Sequence, residues 1–109
     1  MQGCSSLETM IAKLNELETI NLSTNTNLKY VTLSANQLKE IDLTNNVSLE
    51  KLWLSSNSLK GLDVRNLLEL HLLDISKNTN LSCVRIGQNQ NILTIAKQDH
   101  QELRTSPCD

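Results

Sequence analysis

The chain repeats itself. Laid beneath itself at a shift of 21 residues, Leu28-Lys-Tyr-Val31-Thr-Leu33-Ser-Ala-Asn36 matches Leu49-Glu-Lys-Leu52-Trp-Leu54-Ser-Ser-Asn57, and Leu38-Lys-Glu-Ile41-Asp-Leu43 matches Leu59-Lys-Gly-Leu62-Asp-Val64. Each unit divides into two similar halves with apolar residues at positions 1, 4 and 6, Asn at position 9, and a new half 10 or 11 residues on. The halves begin at Leu7, Leu17, Leu28, Leu38, Leu49, Leu59, Leu70 and Leu81, with a partial ninth at Ile92. Their 24 core positions are all apolar, which at a 39% apolar background has a chance probability on the order of 10⁻¹⁰. A unit this short cannot enclose a core of its own, so it must stack on copies of itself. Composition agrees. Only 2% of the 109 residues are aromatic and none is Phe, as expected where layers of equal thickness are filled by Leu, Ile and Val.

Positions 4 and 6 alternate with outward residues, the period-2 pattern of a short strand. Asn at position 9 ends it. An asparagine amide offers two donors and an acceptor; turned inward at a bend, it can pair with the backbone of its own coil and of the neighbouring one. Asn15, Asn25, Asn36, Asn46, Asn57, Asn78 and Asn89 would form such a ladder, with one lapse at Leu67. Ten or eleven residues between corners leave no room for a helix, so each coil should carry two strands. Two short parallel sheets of equal rise make a mainly β solenoid of about four coils with little curvature. The unit at Leu70 is an 11-residue half that follows another, so the alternation fails there and a local bulge is expected. Residues 5–15 read two ways. Ser5-Ser-Leu-Glu8 fits a capping box and Leu7, Met10, Ile11 and Leu14 fit a helical turn, while the same stretch satisfies the half-repeat, which is the favoured reading.

The unit LxxLxLxxNx followed by LxxLDLxxNxx resembles the leucine-rich repeat of bacterial proteins, in the nested, IRREKO-like variety with 21-residue repeats. The resemblance covers Leu7 to Ile95. It implies a right-handed solenoid over residues 1–91 and a C-terminal cap over 92–109. It also implies a disulfide between Cys83 and Cys108 that folds the tail over the last coil, two free thiols being the alternative. The polar composition of the tail is consistent with a need for such a tie. Cys4 stands where position 9 of a preceding half would fall and is expected to be unpaired. The chain thus starts in mid-repeat, and an open apolar edge there is where two copies would pair as a homodimer. A disulfide and the resemblance together point to a secreted or cell-surface protein. No signal peptide is legible, and a lipid-modified Cys4 would need an apolar stretch upstream.

Several functions are disfavoured by the residues themselves. A net charge of −2 supplies no basic face for nucleic acid, and no apolar run approaches the length of a membrane span. Neither His71 nor His100 has a nucleophile or acid at useful spacing, Gly3, Gly61 and Gly87 are scattered, and the cysteines form no CxxC pair. No enzyme, cofactor or metal is therefore expected. The row Asn21, Asp42, Asp63, Arg85 offers too few oxygens for calcium.

In a solenoid, the outward residues of a sheet remain free for recognition. On the first sheet, position 3 reads Thr9, Tyr30, Lys51, Leu72, and position 5 reads Ile11, Thr32, Trp53, Asp74. Both aromatic residues of the chain fall on this face. Tyr30, Thr32, Lys51, Trp53, Leu72 and Asp74 are accordingly the candidate binding residues, with a protein partner expected and a glycan as the alternative. Lateral packing of Tyr30 and Trp53 on a bare solvated sheet would explain the same residues.

Overall fold

The computed structural model describes residues 7–13 and 15–108. Those residues form a β-solenoid of about five turns with no helix. Strands β1 (Thr9–Ile11), β2 (Tyr30–Thr32), β3 (Lys51–Trp53), β5 (Leu72–Asp74) and β7 (Thr94–Ala96) form one parallel sheet in that order. Strands β4 (Leu62–Asp63), β6 (Cys83–Arg85) and β8 (Glu102–Arg104) form the other. The N-terminal alternative is thereby decided for the half-repeat, since Thr9–Ile11 pairs with Tyr30–Thr32 in register. Cys4, the serines of the capping box and Leu14 lie outside the described residues.

Strands β1, β2, β3, β5 and β6 each present their middle residue to the core. Met10, Val31, Leu52, Leu73 and Val84 are buried between more exposed neighbours, the inside–outside alternation of a pleated strand. Every core position read from the repeat is buried or half-buried. The half-buried members are Leu7, Ala12, Leu17, Ile20, Ile41 and Ile86; all but Ile41 lie in the first or the fourth coil. Leu67, where the asparagine pattern lapses, joins the core completely.

The ladder has two forms. On the corner that follows the first sheet, Asn57 donates from Nδ2 to Leu54 O at 3.1 Å in its own coil and to Leu33 O at 3.0 Å in the preceding one. Its Oδ1 accepts from Leu38 N at 3.1 Å. Asn36 and Asn78 repeat this set with Leu33, Ala12 and Leu17, and with Ile75, Leu54 and Leu59. One side chain therefore bonds a bend to itself and to its neighbour. On the opposite corner, Asn46 Nδ2 reaches Leu22 O and Asn25 O at 3.0 and 2.9 Å, and Asn25, like Asn46, is buried.

Two members of the expected ladder do not belong to it. Asn15 is exposed and donates to Lys13 O at 3.2 Å, its one side-chain hydrogen bond among the described residues. Asn89 is also exposed, and Gln90 takes its place. The longer side chain reaches the same corner from one residue further along: Oε1 accepts from Gly87 N at 2.9 Å, and Nε2 donates to Val64 O and Leu67 O at 2.8 and 2.7 Å. Gln101, buried, does the same in the next coil with Gln98 N, Ile75 O and Asn78 O.

The expected bulge is absent from the ladders. Strands β1, β2, β3 and β5 pair at a spacing of 21 residues, while β5 with β7 and β4 with β6 pair at 22. The extra residue sits at Thr79-Asn80, between corner Asn78 and Leu81, where halves of the shorter type have one residue fewer. A turn absorbs it at lower cost than a strand, since no ladder bond is broken. The second sheet is incomplete, because the stretches around Ile20 and Ile41 hold no strand. Asparagine side chains tie the coils there instead, with Asn45 Nδ2 on Ser23 O and Asn66 Nδ2 on Thr44 O at 3.2 and 2.7 Å.

The segment 92–108 contributes β7 and β8 and so extends both sheets. Cys83 and Cys108 are joined by a disulfide, with their Cα atoms 5.8 Å apart. Among the described residues no helix is long and apolar enough to cross a membrane.

Candidate interaction face

Parallel pairing in register aligns outward side chains of successive coils into rows about 4.8 Å apart. The first row of the five-stranded sheet runs Thr9, Tyr30, Lys51, Leu72, and the second runs Ile11, Thr32, Trp53, Asp74. All six candidate residues thus stand on one face, on strands β2, β3 and β5. Lys51 Nζ lies 5.9 Å from the centre of the Tyr30 ring, within reach of a cation–π attraction. Asp74 Oδ1 accepts from Ser76 N at 3.1 Å and from Ser76 Oγ at 2.7 Å, which fixes the carboxylate at the strand end and leaves Oδ2 for other use. Ser55 Oγ donates to Ser34 Oγ at 3.0 Å, joining the third row across two coils.

A shallow groove of about 500 Å³ runs over this face. Of the six candidates, Tyr30, Thr32, Trp53 and Asp74 line it, whereas Lys51 and Leu72 do not. Ile11 and Lys13 line it too, and Ile11 is 68% exposed. Ile11 was missed as a candidate, although its place at position 5 in the same row as Trp53 was the signal that could have found it. The groove has an aliphatic end at Ile11, an aromatic middle at Trp53, a cation at Lys13 and an anion at Asp74.

The opposite face is polar. Asn21, Asp42 and Asp63 each accept through Oδ1 from the backbone N–H two residues on, at 2.9, 2.9 and 3.0 Å. Thr44 Oγ1 also donates to Asp42 Oδ1, at 2.6 Å; this bond first, and the Thr44 backbone N–H second, hold the Asp42 carboxyl below the ordinary aspartate range. Asp63 is gripped by Arg65. These oxygens serve their own turns, and among the described residues no three of His, Cys, Asp and Glu come together as a metal site. Compared with known protein families and with curated proteins, the chain matches none.

Proposed function

We propose that the protein is a non-enzymatic leucine-rich repeat module that binds another protein through the outward face of the first sheet. The observation that carries this reading is the grouping of Tyr30 and Trp53, the only aromatic residues of the chain, in one groove of the sheet face. Aromatic anchors ringed by polar groups are where protein interfaces concentrate their binding energy. The disulfide supports an oxidising compartment, and with it a secreted or cell-surface location.

The test is capture of partner proteins by wild type and by Trp53→Ala, both checked for fold by circular dichroism. A hot-spot anchor of about 2 kcal/mol corresponds to a loss of roughly 30-fold in affinity. Unchanged binding by Trp53→Ala sinks the assignment.

A carbohydrate ligand is the second reading, favoured by the hydroxyls of Thr32, Ser34 and Ser55 and the carboxylate of Asp74 around Trp53. Intrinsic fluorescence separates the two, because Trp53 is the only tryptophan. Quenching or a spectral shift on titration with glycans supports the sugar. No response to a broad glycan panel, together with retention of a protein, supports the first reading.

A further inference from the structure

Arg65, which follows β4, Arg85 on β6 and Arg104 on β8 stand on the second sheet's side of the solenoid, and among the described residues only Arg65 and Arg104 have counter-ions. Arg65 holds Asp63 at 2.9 Å between Nη2 and Oδ2, and its Nε donates to both carboxylate oxygens at 3.1 Å. Arg104 Nε stands 3.8 Å from Glu102 Oε1, and its Nη2 donates to Ser106 Oγ at 3.1 Å. Arg85, on β6, makes no such ion pair among the described residues. Its Nε is shut off from solvent and has no acceptor.

Strand register makes the deficit worse. Arg85 is paired with Asp63 on one side, whose carboxylate is already committed to Arg65, and with Arg104 on the other. Arg104 has Glu102 as its own counter-ion, so neither register partner offers Arg85 a free carboxylate, and a buried cationic donor without an acceptor is unfavourable. An anion on Arg85 would supply that acceptor.

Space for one exists. Arg85 lines a groove of about 910 Å³ together with Lys60, Gly61, Cys83 and Cys108. A Cβ built on Gly61 meets nothing within 4 Å, so no neighbouring side chain fills the groove at that point. Glu18, Lys39 and Glu40 line the same groove from coils further toward the N-terminus, and Asp63, beside Arg85, is held by Arg65.

We propose that Arg85, assisted by Lys60, is the binding residue of a site for a tetrahedral oxyanion, a phosphate or sulfate group. A turn of the Arg85 side chain about its outer torsions presents the Nε and Nη donors as a two-pronged edge, the geometry with which guanidinium grips two oxygens of one anion. Lys60 supplies a point charge to a third oxygen. This site lies on the sheet opposite the Trp53 face and does not depend on it.

The experiment uses the full oxidised chain, titrated with sodium sulfate or inorganic phosphate against sodium chloride at matched ionic strength. Arginine Nε–H resonances are followed by NMR and unfolding is followed by thermal melt. A saturable shift of the Arg85 resonance, with a Tm that rises with the oxyanion and not with chloride, is expected. Arg85→Gln should abolish both effects while keeping the wild-type circular dichroism spectrum, and Arg85→Lys should weaken binding about tenfold by losing the two-pronged contact. Lys60→Gln, on a coil whose fold does not involve that side chain, should weaken it a few-fold. A sulfated disaccharide distinguishes the source of the group: tighter binding than free sulfate marks a carried ester, and equal binding marks the free ion. A response that does not saturate, or that survives intact in Arg85→Gln, overturns the proposal.

Discussion

Asn57 shows how much a single repeat residue can carry. Its amide joins three carbonyls, those of Leu33, Leu54 and Ser55, and one N–H across two coils. Asn57→Ala leaves those groups without partners, and at about 1–3 kcal/mol for each buried orphan the loss should be at least about 3 kcal/mol in chemical denaturation. Asn15→Ala, at an exposed position with one local bond, should cost less than about 0.5 kcal/mol in the same measurement. The residue just before the corners at Asn36, Asn57 and Asn78 has its own strain. Ala35, Ser56 and Lys77 have φ of 60°, 57° and 57°, a left-handed conformation that disfavours any side chain with a Cβ. Lys77 is exposed, and its backbone N–H, which donates to Gln98 Oε1 at 3.1 Å, survives substitution. Lys77→Gly should therefore stabilise the fold by about 0.5–1 kcal/mol, after the entropy cost of glycine, and raise Tm by a few degrees in a thermal melt.

At the level of the element, β8 has little apolar burial to hold it. Glu102 and Arg104 face outward and Leu103 is only half-buried, so its apolar contribution is small. The disulfide, which closes a separation of 25 residues, limits the freedom of the unfolded tail instead. Replacing Cys83 and Cys108 by Ser should lower stability by roughly 3 kcal/mol. The loss should appear first as faster hydrogen exchange at Glu102–Arg104, ahead of β2 and β3, if the tie acts locally as well as globally. Strand β3 needs no such device, because it is supplemented on either side by an asparagine, Asn46 or Asn57, that bonds to the preceding coil.

Across the whole molecule, stability is a sum over stacked layers, and each inner coil is covered on both sides by its neighbours. Residues 92–108 form the last cover. They bring β7 onto β5 and β8 onto β6, and Gln101 satisfies the carbonyls of Ile75 and Asn78. A chain ending at Asn91 should expose Leu73, Ile75, Leu81 and Val84, which are fully buried in the intact protein. We expect that truncation to be aggregated in light scattering and to lose its cooperative melt, a larger effect than removal of the disulfide alone. If the truncated chain melts like wild type, the last coil is an appendage and not a cover.

The core was legible residue by residue in the sequence, because in a solenoid each inward position is dictated by the repeat and no distant segment competes for it. The same holds for Asn36, Asn46, Asn57 and Asn78, whose partners lie at constant offsets along the chain. What the repeat could not specify was how its irregularities are accommodated. The extra residue of the Leu70 half was legible, but not that a turn at Thr79-Asn80 takes it up instead of a bulge, and Gln90 in place of Asn89 depends on which carbonyls the neighbouring coil presents, a property of three dimensions. The candidate face was half legible. Strand alternation identified its rows, but only the packed sheet decided that Ile11 joins Trp53 in the groove while Lys51 and Leu72 stand outside it. The pattern of apolar residues determined the architecture, since burial is enforced at every turn. Tertiary structure decided the surface, since outward residues obey no period and their meaning comes from which of them become neighbours.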